Sequence, residues 1–294
     1  MKEIKYISSY NNMEVSLGTT LPFVIQESEG FRGLEAEIKT FRSINQQGCT
    51  IQSTNVRERE LTIRGAIVYD TARERDTLRK RVYDTFHPRH SGTIKVTTRA
   101  GAEYELHNVY VVDAPTFEED LNQPNIDHFT VNIICPNPFL LSPEKKISLQ
   151  TKTGNFKFDW EILKDGITLA EIDARALQNA INTGAVETPP RIVIRSRGRL
   201  ENPYIYNITT AQAIRINKTI TAGQSIEITT NYGNKRVTFI DEYGERENIF
   251  PLIDLNSTFF NLAVGDNLIR YGSEDDTVDN MTVDIYYRER FLGV

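Results

Sequence analysis

The side chains that could do chemistry in this sequence form three short groups. His87 and His90 lie three residues apart in the stretch "HPRH". Two acidic clusters follow, "FEEDL" with Glu118, Glu119 and Asp120, and "SEDDTVD" with Glu274, Asp275, Asp276 and Asp279. Imidazole suits transition metals, and carboxylates suit calcium or general acid–base chemistry, so each group is a candidate site.

Spacing weakens each of these candidates. Two histidines without cysteine or carboxylate neighbours at fixed spacing fall short of a zinc site. The second acidic cluster lacks the alternating acidic pattern of a calcium loop. A pair of carboxylates hydrolyses a glycoside only when their separation is fixed and one of them is buried. We therefore expect no metal ion and no cofactor, and we keep cell-wall hydrolysis as an alternative function.

The local motifs of common enzyme classes are absent from the sequence. It contains no GxSxG, HExxH, GxxxxGK[ST] or GxGxxG pattern. We predict that the protein is not an enzyme.

Composition and charge are those of an ordinary folded protein. The 294 residues are 39% hydrophobic and 25% charged, with a net charge of −6. Residues 1–143 contain 16 basic and 19 acidic residues, and the remainder contains 18 and 21, so each half is near −3. Neither half is a polycation that would hold a nucleic acid through its phosphates.

The sequence also lacks the marks of membrane insertion and secretion. No apolar run approaches the roughly 20 residues that span a bilayer, and the first residues, "MKEIKYISSYNNMEV", lack the apolar core of a signal peptide. We expect assembly in a bacterial cytoplasm. Cys49 and Cys135 belong to no CxxC pattern, and we predict two reduced, buried thiols.

The first half predicts strands around one helix. In "RERELTIRGAIV", Leu61, Ile63 and Ile67 alternate with polar residues, as in a half-buried strand. In the helix that follows, Thr71 and Glu74 form a capping box. Helical spacing then predicts an apolar face before the stop at Pro88, made of Leu78, Val82, Tyr83 and Phe86.

The same helix is rich in charge. Its basic residues are Arg73, Arg75, Arg79, Lys80 and Arg81, and acidic residues lie among them. Such a face is either solvated and laced with pairs four residues apart, or a contact strip for a neighbouring acidic subunit. Our candidate subunit-interface residues are Arg73, Arg75, Arg79 and Arg81.

Prolines mark the end of this first region. "TIKVTT" and "YELHNVYVV" predict a hairpin, and "FTVNIIC" predicts a further strand. Pro136 and Pro138 cannot donate to a strand ladder, so that strand should end at Cys135. The polar segment "SPEKK" follows, which is typical of a domain boundary. We predict domains at residues 1–141 and 142–294.

The second half reads as many short strands. "PPRIVIRSRG", "SIEITT" and "KRVTFID" alternate apolar with polar residues, and "MTVDIYY" places Met281, Val283, Ile285 and Tyr287 on one face. Short strands separated by turn signals predict a β-sandwich. The stretch "AEIDARALQNAINTG" remains open between a short helix and irregular structure.

The order of these motifs resembles the distal tail proteins of long-tailed phages and prophages of Gram-positive bacteria. The residues that carry the resemblance are "LTIRGAIV", "FTVNIICPNPFLLS", "NTGAVETPPRIVI", "AGQSIEITT", "FFNLAVGDNLI" and the terminal "VDIYYRERFLGV". Each motif alone is unspecific; their succession along nearly the whole chain carries the likeness.

The resemblance implies a mostly β fold with two domains. The N-terminal α+β belt domain would be a split β-barrel-like, tail-tube-like sheet with one helix, and it would close into a hexameric ring. The C-terminal domain would be a galectin-like β-sandwich. In "FNLAVGDNLI", Leu262 should pack inward and Gly265 should relieve the turn before Leu268 and Ile269 resume the strand.

The resemblance also implies a role and partners. The protein would be a structural hub at the virion tail tip, joining the tail-tube protein to tail-tip, lysin, fibre or receptor-binding proteins, while DNA passes through the lumen without specific binding. Exposed belt edges would be completed by copies of the same chain.

A galectin-like fold does not by itself imply sugar binding. The galectin H-x-N-x-R strand is missing, Trp160 lies at the start of the second domain, and no histidine follows His128. These absences argue against carbohydrate binding, and we keep binding to host cell-wall glycans as an alternative function.

Overall fold

A computed structural model describes residues 2–119, 124–150, 177–275 and 277–294. β-Strands dominate these ranges, which contain one α-helix. The predicted mostly β fold class is confirmed. Trp160, Asp120 and Asp276, all discussed above, lie outside the described residues.

The elements follow one another along the chain with short connections. Their bounds are β1 (Glu3–Ser8), β2 (Glu14–Leu17), β3 (Phe23–Glu29), β4 (Ala36–Phe41), β5 (Thr50–Val56), β6 (Arg59–Val68), α1 (Ala72–Thr85), β7 (Ser91–Thr97), β8 (Glu103–Val111), β9 (Thr116–Glu119), β10 (Ile126–Cys135), β11 (Leu140–Leu141), β12 (Lys145–Gln150), β13 (Leu177–Asn182), β14 (Arg191–Ser196), β15 (Tyr204–Asn207), β16 (Gln212–Arg215), β17 (Ser225–Thr229), β18 (Arg236–Ile240), β19 (Arg246–Asn248), β20 (Gly265–Gly272), β21 (Met281–Tyr287) and β22 (Arg290–Phe291).

The chain divides into two compact units. The first comprises Met1–Pro143 and Arg290–Val294, and the second comprises Glu144–Glu289. Each unit has its own hydrophobic core. Along the chain, the second unit is therefore inserted between two segments of the first.

The first unit is built on one antiparallel sheet. Its strand order is β2-β1-β7-β8-β10-β6-β3, with β9 on β10 and β11 between β8 and β22. A bridge between Gly18 and Val24 links the two end strands, so the sheet curls towards closure. This arrangement agrees with the predicted split-barrel-like sheet.

Apolar side chains from the sheet and the helix fill the core of this unit. β6, α1 and the residue after the helix contribute six buried residues that the sequence pattern predicted: Leu61, Ile63, Ile67, Leu78, Val82 and Phe86. The period-two and helical patterns therefore identified the inward-facing residues, except that Tyr83 is exposed.

The helix begins and ends close to the predicted positions. The Thr71 hydroxyl accepts a hydrogen bond from the Glu74 N–H at 3.2 Å. The Glu74 carboxylate accepts from the Asp70 N–H at 3.0 Å, one residue earlier than the capping box predicts. Tyr83 shares the predicted helical spacing but is exposed, and its ring packs on Phe117.

The predicted strands of the first unit are confirmed where the structure describes them. β7 and β8 form the expected hairpin. β10 pairs with β6 along its whole length and ends at Cys135, immediately before Pro136. The short tail strand β22 pairs with β11, placing Phe291 beside Leu140 and against the ring of Tyr104.

The second unit is a sandwich of two antiparallel sheets. The six-stranded sheet has the order β12-β21-β14-β17-β18-β19, and the four-stranded sheet has the order β13-β20-β15-β16. Their inner faces form one core, to which β14, β17 and β21 give Ile192, Ile194, Ile226, Ile228, Val283 and Ile285. The predicted β-sandwich is confirmed.

The structure also describes the turn before β20 and part of the ambiguous stretch at 170–184. Leu262 is buried and Gly265 has φ +91°, a left-handed conformation that favours glycine, directly at the start of β20. The ambiguous stretch at 170–184 contains strand β13 over Leu177–Asn182, and its earlier residues lie outside the described ranges.

Candidate inter-subunit interface

The charged helix face predicted as an interface makes contacts within its own chain. Arg75 and Arg79 lie one helical turn apart, and the Nε atom of each donates to Oδ2 of Asp127, at 2.7 and 2.6 Å. Asp127 is on β10 and only 1% exposed. These two arginines therefore join the helix to the sheet.

The two arginines also control the protonation of the buried acid. Burial on its own raises the pKa of the Asp127 carboxyl, but the hydrogen bonds and charges of Arg75 and Arg79 outweigh it, so the pKa lies below its ordinary value. Aromatic rings support the cluster, with Tyr69 beneath Arg75 and Phe117 beneath Arg79. Asp127 remains charged at neutral pH, in a network typical of structural ion pairs.

The other two candidate arginines lie apart from this cluster. Arg81 is exposed, donates to the Glu14 carbonyl at 2.9 Å and covers the ring of Phe23. Arg73 is exposed near the start of the helix. The structure thus brings Arg75 and Arg79 together, and a role for all four in subunit contact stays a prediction.

A second candidate interface is a hairpin that sequence reasoning missed. β4 and β5 pair with each other and, among the described residues, with no other strand. The pairs Ala36–Val56, Ile38–Thr54 and Thr40–Ile51 share one face, because side chains alternate along each strand and a bulge after Lys39 keeps the register.

This face of the hairpin is apolar and open to solvent. Ile38 is 54% exposed, Ile51 62% and Val56 44%. The opposite face carries Glu37, Lys39 and Ser53, with the exposed Phe41 at its end. A two-stranded hairpin is only marginally stable in water, and an apolar face without cover is unfavourable. The hairpin therefore has the chemistry of an arm that packs on another surface.

The base of the hairpin is firmly anchored. The Arg57 N–H donates to the Glu35 carbonyl at 3.0 Å, where β5 leads towards β6. Two residues later, Arg59 is buried and its guanidinium donates to four backbone carbonyls, those of Gly30, Gly33, Pro138 and Leu292. The arm thus projects from a rigid part of the first unit.

A separate apolar patch lies on the solvent side of the main sheet. Tyr110 and Val112, at the end of β8, are exposed, and Tyr110 pairs with Ile134 of β10. The Val112 N–H donates to the Asn132 carbonyl at 2.8 Å, so this stretch is held against the sheet. The first unit therefore carries two different uncovered apolar surfaces, the hairpin face and this sheet patch.

The histidine pair forms an aromatic stack at the surface. The rings of His87 and His90 are 5.0 Å apart, and Tyr10 stacks on His90 at 4.2 Å. The Arg89 N–H donates to Nδ1 of His87. In the part of the chain that the structure describes, no group of three histidine, cysteine or acidic side chains has the arrangement of a metal site.

The acidic clusters are engaged in local structure. Asp275 accepts from the Thr277 hydroxyl, and Glu274 accepts from the Asn202 amide. Burial raises the pKa of the Asp275 carboxyl, but hydrogen bonds from Ser273 and Thr277 outweigh it and keep the pKa low. Glu118 is exposed on β9. Asp275 and Glu274 thus hold local turns, through hydrogen bonds from Thr277 and Asn202.

The two cysteines occupy opposite environments. Cys135 is buried, and burial raises the pKa of its thiol to about 12. Cys49 is exposed in the turn of the hairpin, so the prediction that both thiols are buried was wrong for Cys49. Both thiols are free, and they have very different access to reagents.

Two models of known protein families match this chain. The model of the "Phage tail protein RIFT-related domain" matches residues 11–135, and that of the "Siphovirus-type tail component, C-terminal domain" matches residues 183–291. Together they cover most of both units. The chain therefore belongs to the siphovirus-type tail components, as a distal tail or baseplate hub protein.

Solved structures show the same fold over the whole chain. The Dit protein of phage SPP1, described as a paradigm of the hub of the adsorption apparatus in phages infecting Gram-positive bacteria, is similar with a TM-score of 0.67 and 15% identity, over 98% of this chain and 99% of that one. A chain of the phage P2 baseplate, in its activated conformation with calcium, has a TM-score of 0.58 and 10% identity, and both chains are covered completely.

Among curated proteins, none matches this sequence significantly. Within the described ranges, no helix has the length and apolar character needed to cross a bilayer.

Proposed function

We propose that this protein forms a hexameric ring at the distal end of a phage or phage-like tail and connects the tail tube to the tip, fibre or receptor-binding proteins. Its family membership and its likeness to hub proteins support a tail-hub role. The sixfold ring and the particular partners are our proposal, because they follow from the resemblance to the family rather than from contacts between chains.

One observation carries the ring proposal: the first unit holds two unlike apolar surfaces, the hairpin face and the sheet patch. If the hairpin face of one copy packs on the sheet patch of the next, the contact is head-to-tail, and it closes a ring of six when each copy is rotated by one sixth of a turn. Both surfaces are then covered, and the marginal hairpin gains the packing it lacks in one chain. The ring forms through the first unit alone.

Charge suits the passage of DNA through such a ring. The chain has a net charge of −6, so its surface repels phosphates overall, whereas a basic lumen would retain them. The hub would thus guide DNA without binding it. The local hydrogen bonds of the acidic clusters support a structural role rather than hydrolysis.

Electron microscopy of the purified protein and two variants tests the ring. Ile51→Lys puts a charge on the apolar hairpin face, whereas Ser53→Lys puts the same charge on the polar face of the same strand. We expect sixfold rings for the wild type and Ser53→Lys, and few or none for Ile51→Lys. Equal ring formation by both variants would show that the hairpin does not join the subunits.

A further inference from the structure

The solvent side of the four-stranded sheet in the second unit carries exposed aliphatic side chains. The outer face of a sandwich sheet ordinarily alternates to polar residues. Here Ile181 is 48% exposed, Ile208 38% and Val264 56%, and all three lie at one end of this sheet. An apolar patch of this kind on a folded unit marks a surface that contacts something else.

The strand register brings these side chains together. Asn179 pairs with Leu268, and Ile181 pairs with Asp266, so Ile181 and Leu268 lie on the same outer face. The Ile208 N–H donates to the Leu268 carbonyl at 2.8 Å, which holds Ile208 beside them. Ile181, Ile208 and Leu268 therefore share this outer face with one polar pair, in which the Asn179 amide donates to the Asp266 carboxylate at 2.6 Å.

The other end of the same face carries tyrosine and arginine. Tyr206 pairs with Arg270, and Tyr204 pairs with Gly272. The ring of Tyr204 lies against Gly272, where a Cβ atom would be 2.6 Å from the tyrosine hydroxyl. Arg215 covers the Tyr204 ring at 5.5 Å. Glycine thus allows the tyrosine to lie flat in a preformed position.

The two arginines have no acidic partner among the described residues. Arg270 is exposed and makes no ion pair there, and the side chain of Arg215 contacts the tyrosine ring. On the outer face of the six-stranded sheet, three cations are paired within the chain: Arg191 with Glu227, and both Arg195 and Lys146 with Asp284. Among the described residues, the four-stranded face combines two arginines that form no ion pair with exposed aliphatic side chains.

We propose that this face, defined by Ile181, Tyr204, Tyr206, Ile208, Leu268 and Arg270, binds a partner protein whose contact surface is apolar and carries carboxylates opposite Arg270 and Arg215. Tyrosine and arginine dominate the binding energy of protein interfaces. Exposed aliphatic side chains beside Tyr206 and Arg270 match the composition of a protein interface, so a protein is the partner that we propose.

The area of this face indicates how strongly a single copy can bind a partner. β13, β20, β15 and β16 have 6, 8, 4 and 4 residues, so at about 3.4 Å per residue and about 4.8 Å per strand the face covers about 360 Å². A standard interface takes about 800 Å² from each partner, so a single copy binds weakly. Six copies displayed on a ring would bind a multivalent partner much more strongly. This gain in strength rests on the proposed ring function.

A photo-crosslinking experiment in assembled tails tests the proposal. The photoreactive residue p-benzoylphenylalanine replaces Tyr206 in the full chain, and it replaces Thr238, on the outer face of the six-stranded sheet, as the matched control. We expect position 206 to cross-link to a different tail protein, at an apolar segment containing aspartate or glutamate, and position 238 to give no such product. No cross-link at 206, or one only to another copy of this chain or to polysaccharide, would overturn the proposal.

A charge reversal separates this proposal from the ring proposal. Adding Arg270→Glu to the chain labelled at 206 should lower the cross-link yield about tenfold, because like charges then face each other. Rings are counted in the same samples by electron microscopy and should be unchanged. An unchanged yield contradicts the binding face, whereas the absence of rings contradicts the proposed function.

Discussion

The guanidinium of Arg59 donates a hydrogen bond of 2.7 Å to the carbonyl of Leu292, although 233 residues separate them in the chain. The last residues thus complete the first unit rather than the second. The same guanidinium is buried and also holds the carbonyls of Gly30, Gly33 and Pro138. It ties together the hairpin base, the end of β10 and the tail.

We predict that Arg59→Met destabilises the protein severely. The substitution leaves several buried carbonyls without donors, which should lower the free energy of unfolding by about 3 kcal/mol. Arg64→Met is the matched control, because Arg64 pairs with Glu27 at the surface and such a pair contributes less than about 1 kcal/mol. Urea unfolding of the full chain measures both. Similar losses for the two variants would contradict the proposed role of Arg59.

The C-terminal segment Arg290–Val294 contains two adjacent residues that should affect stability differently. Phe291 packs on the core of the first unit, whereas its neighbour Leu292 is exposed. Phe291→Ala should lower the free energy of unfolding by about 2 kcal/mol, and Leu292→Ala by less than about 0.5 kcal/mol. Hydrogen exchange should report faster opening in β11 and β8 for Phe291→Ala. Exchange that changes only within residues 144–289 would show that the C-terminal segment does not support the first unit.

The Asp127 cluster predicts a pH dependence. The folded-state pKa of Asp127 lies below its ordinary value, so its ion pairs stabilise the fold above about pH 4, the unfolded pKa, and this stability is lost as the pH falls further. At pH 7, Asp127→Asn should therefore lose about 2 kcal/mol, because two partly buried arginines lose their partner. The difference from wild type should shrink below about pH 4.

Unfolding measured from pH 2 to pH 7 tests this, with Glu27→Gln as a control for an exposed acid. The control should lose less than about 1 kcal/mol at pH 7. A stability difference for Asp127→Asn that grows as the pH falls would have the wrong sign and would refute the assignment.

The rate at which Cys49 reacts with a thiol reagent reports whether the hairpin is covered by a neighbouring subunit. At neutral pH, a maleimide should modify Cys49 and leave Cys135 intact, because Cys135 is buried and has a pKa of about 12. If the hairpin packs on a neighbouring subunit, Cys49 should react about tenfold more slowly in assembled rings than in the Ile51→Lys variant. Two modified thiols in the native protein, or equal rates in ring and variant, would count against this account.

Regular patterns of alternating or helical apolar residues were predictable from the sequence, as β6, α1, β10 and β21 show. The hairpin of β4 and β5 was not predicted, because its apolar residues are few and its strands are exposed. Without a buried face, the sequence lacks a strong alternating pattern there. The alternation of Ala36, Ile38 and Thr40 was the available signal. Such alternation indicates a strand but not what covers it.

Ion pairs and hydrogen bonds between residues far apart in the chain could not be predicted from the sequence, for a different physical reason. The charge on Arg75 and Arg79 was visible, but their partner Asp127 lies on another strand about 50 residues away, and only the packing of helix on sheet joins them. The same holds for Arg59 and the tail. Sequence patterns indicate which side chains turn inward, whereas tertiary packing decides which charges meet.

The most direct test of the central claim is the mass of the full-length protein in solution across a concentration series. Six copies of a 33.6 kDa chain amount to about 200 kDa, from six times 33.6. Light scattering should show this mass at high concentration, with dissociation towards the monomer on dilution or on Ile51→Lys. A wild-type protein that stays at 33.6 kDa at every concentration would contradict a ring formed by the first unit.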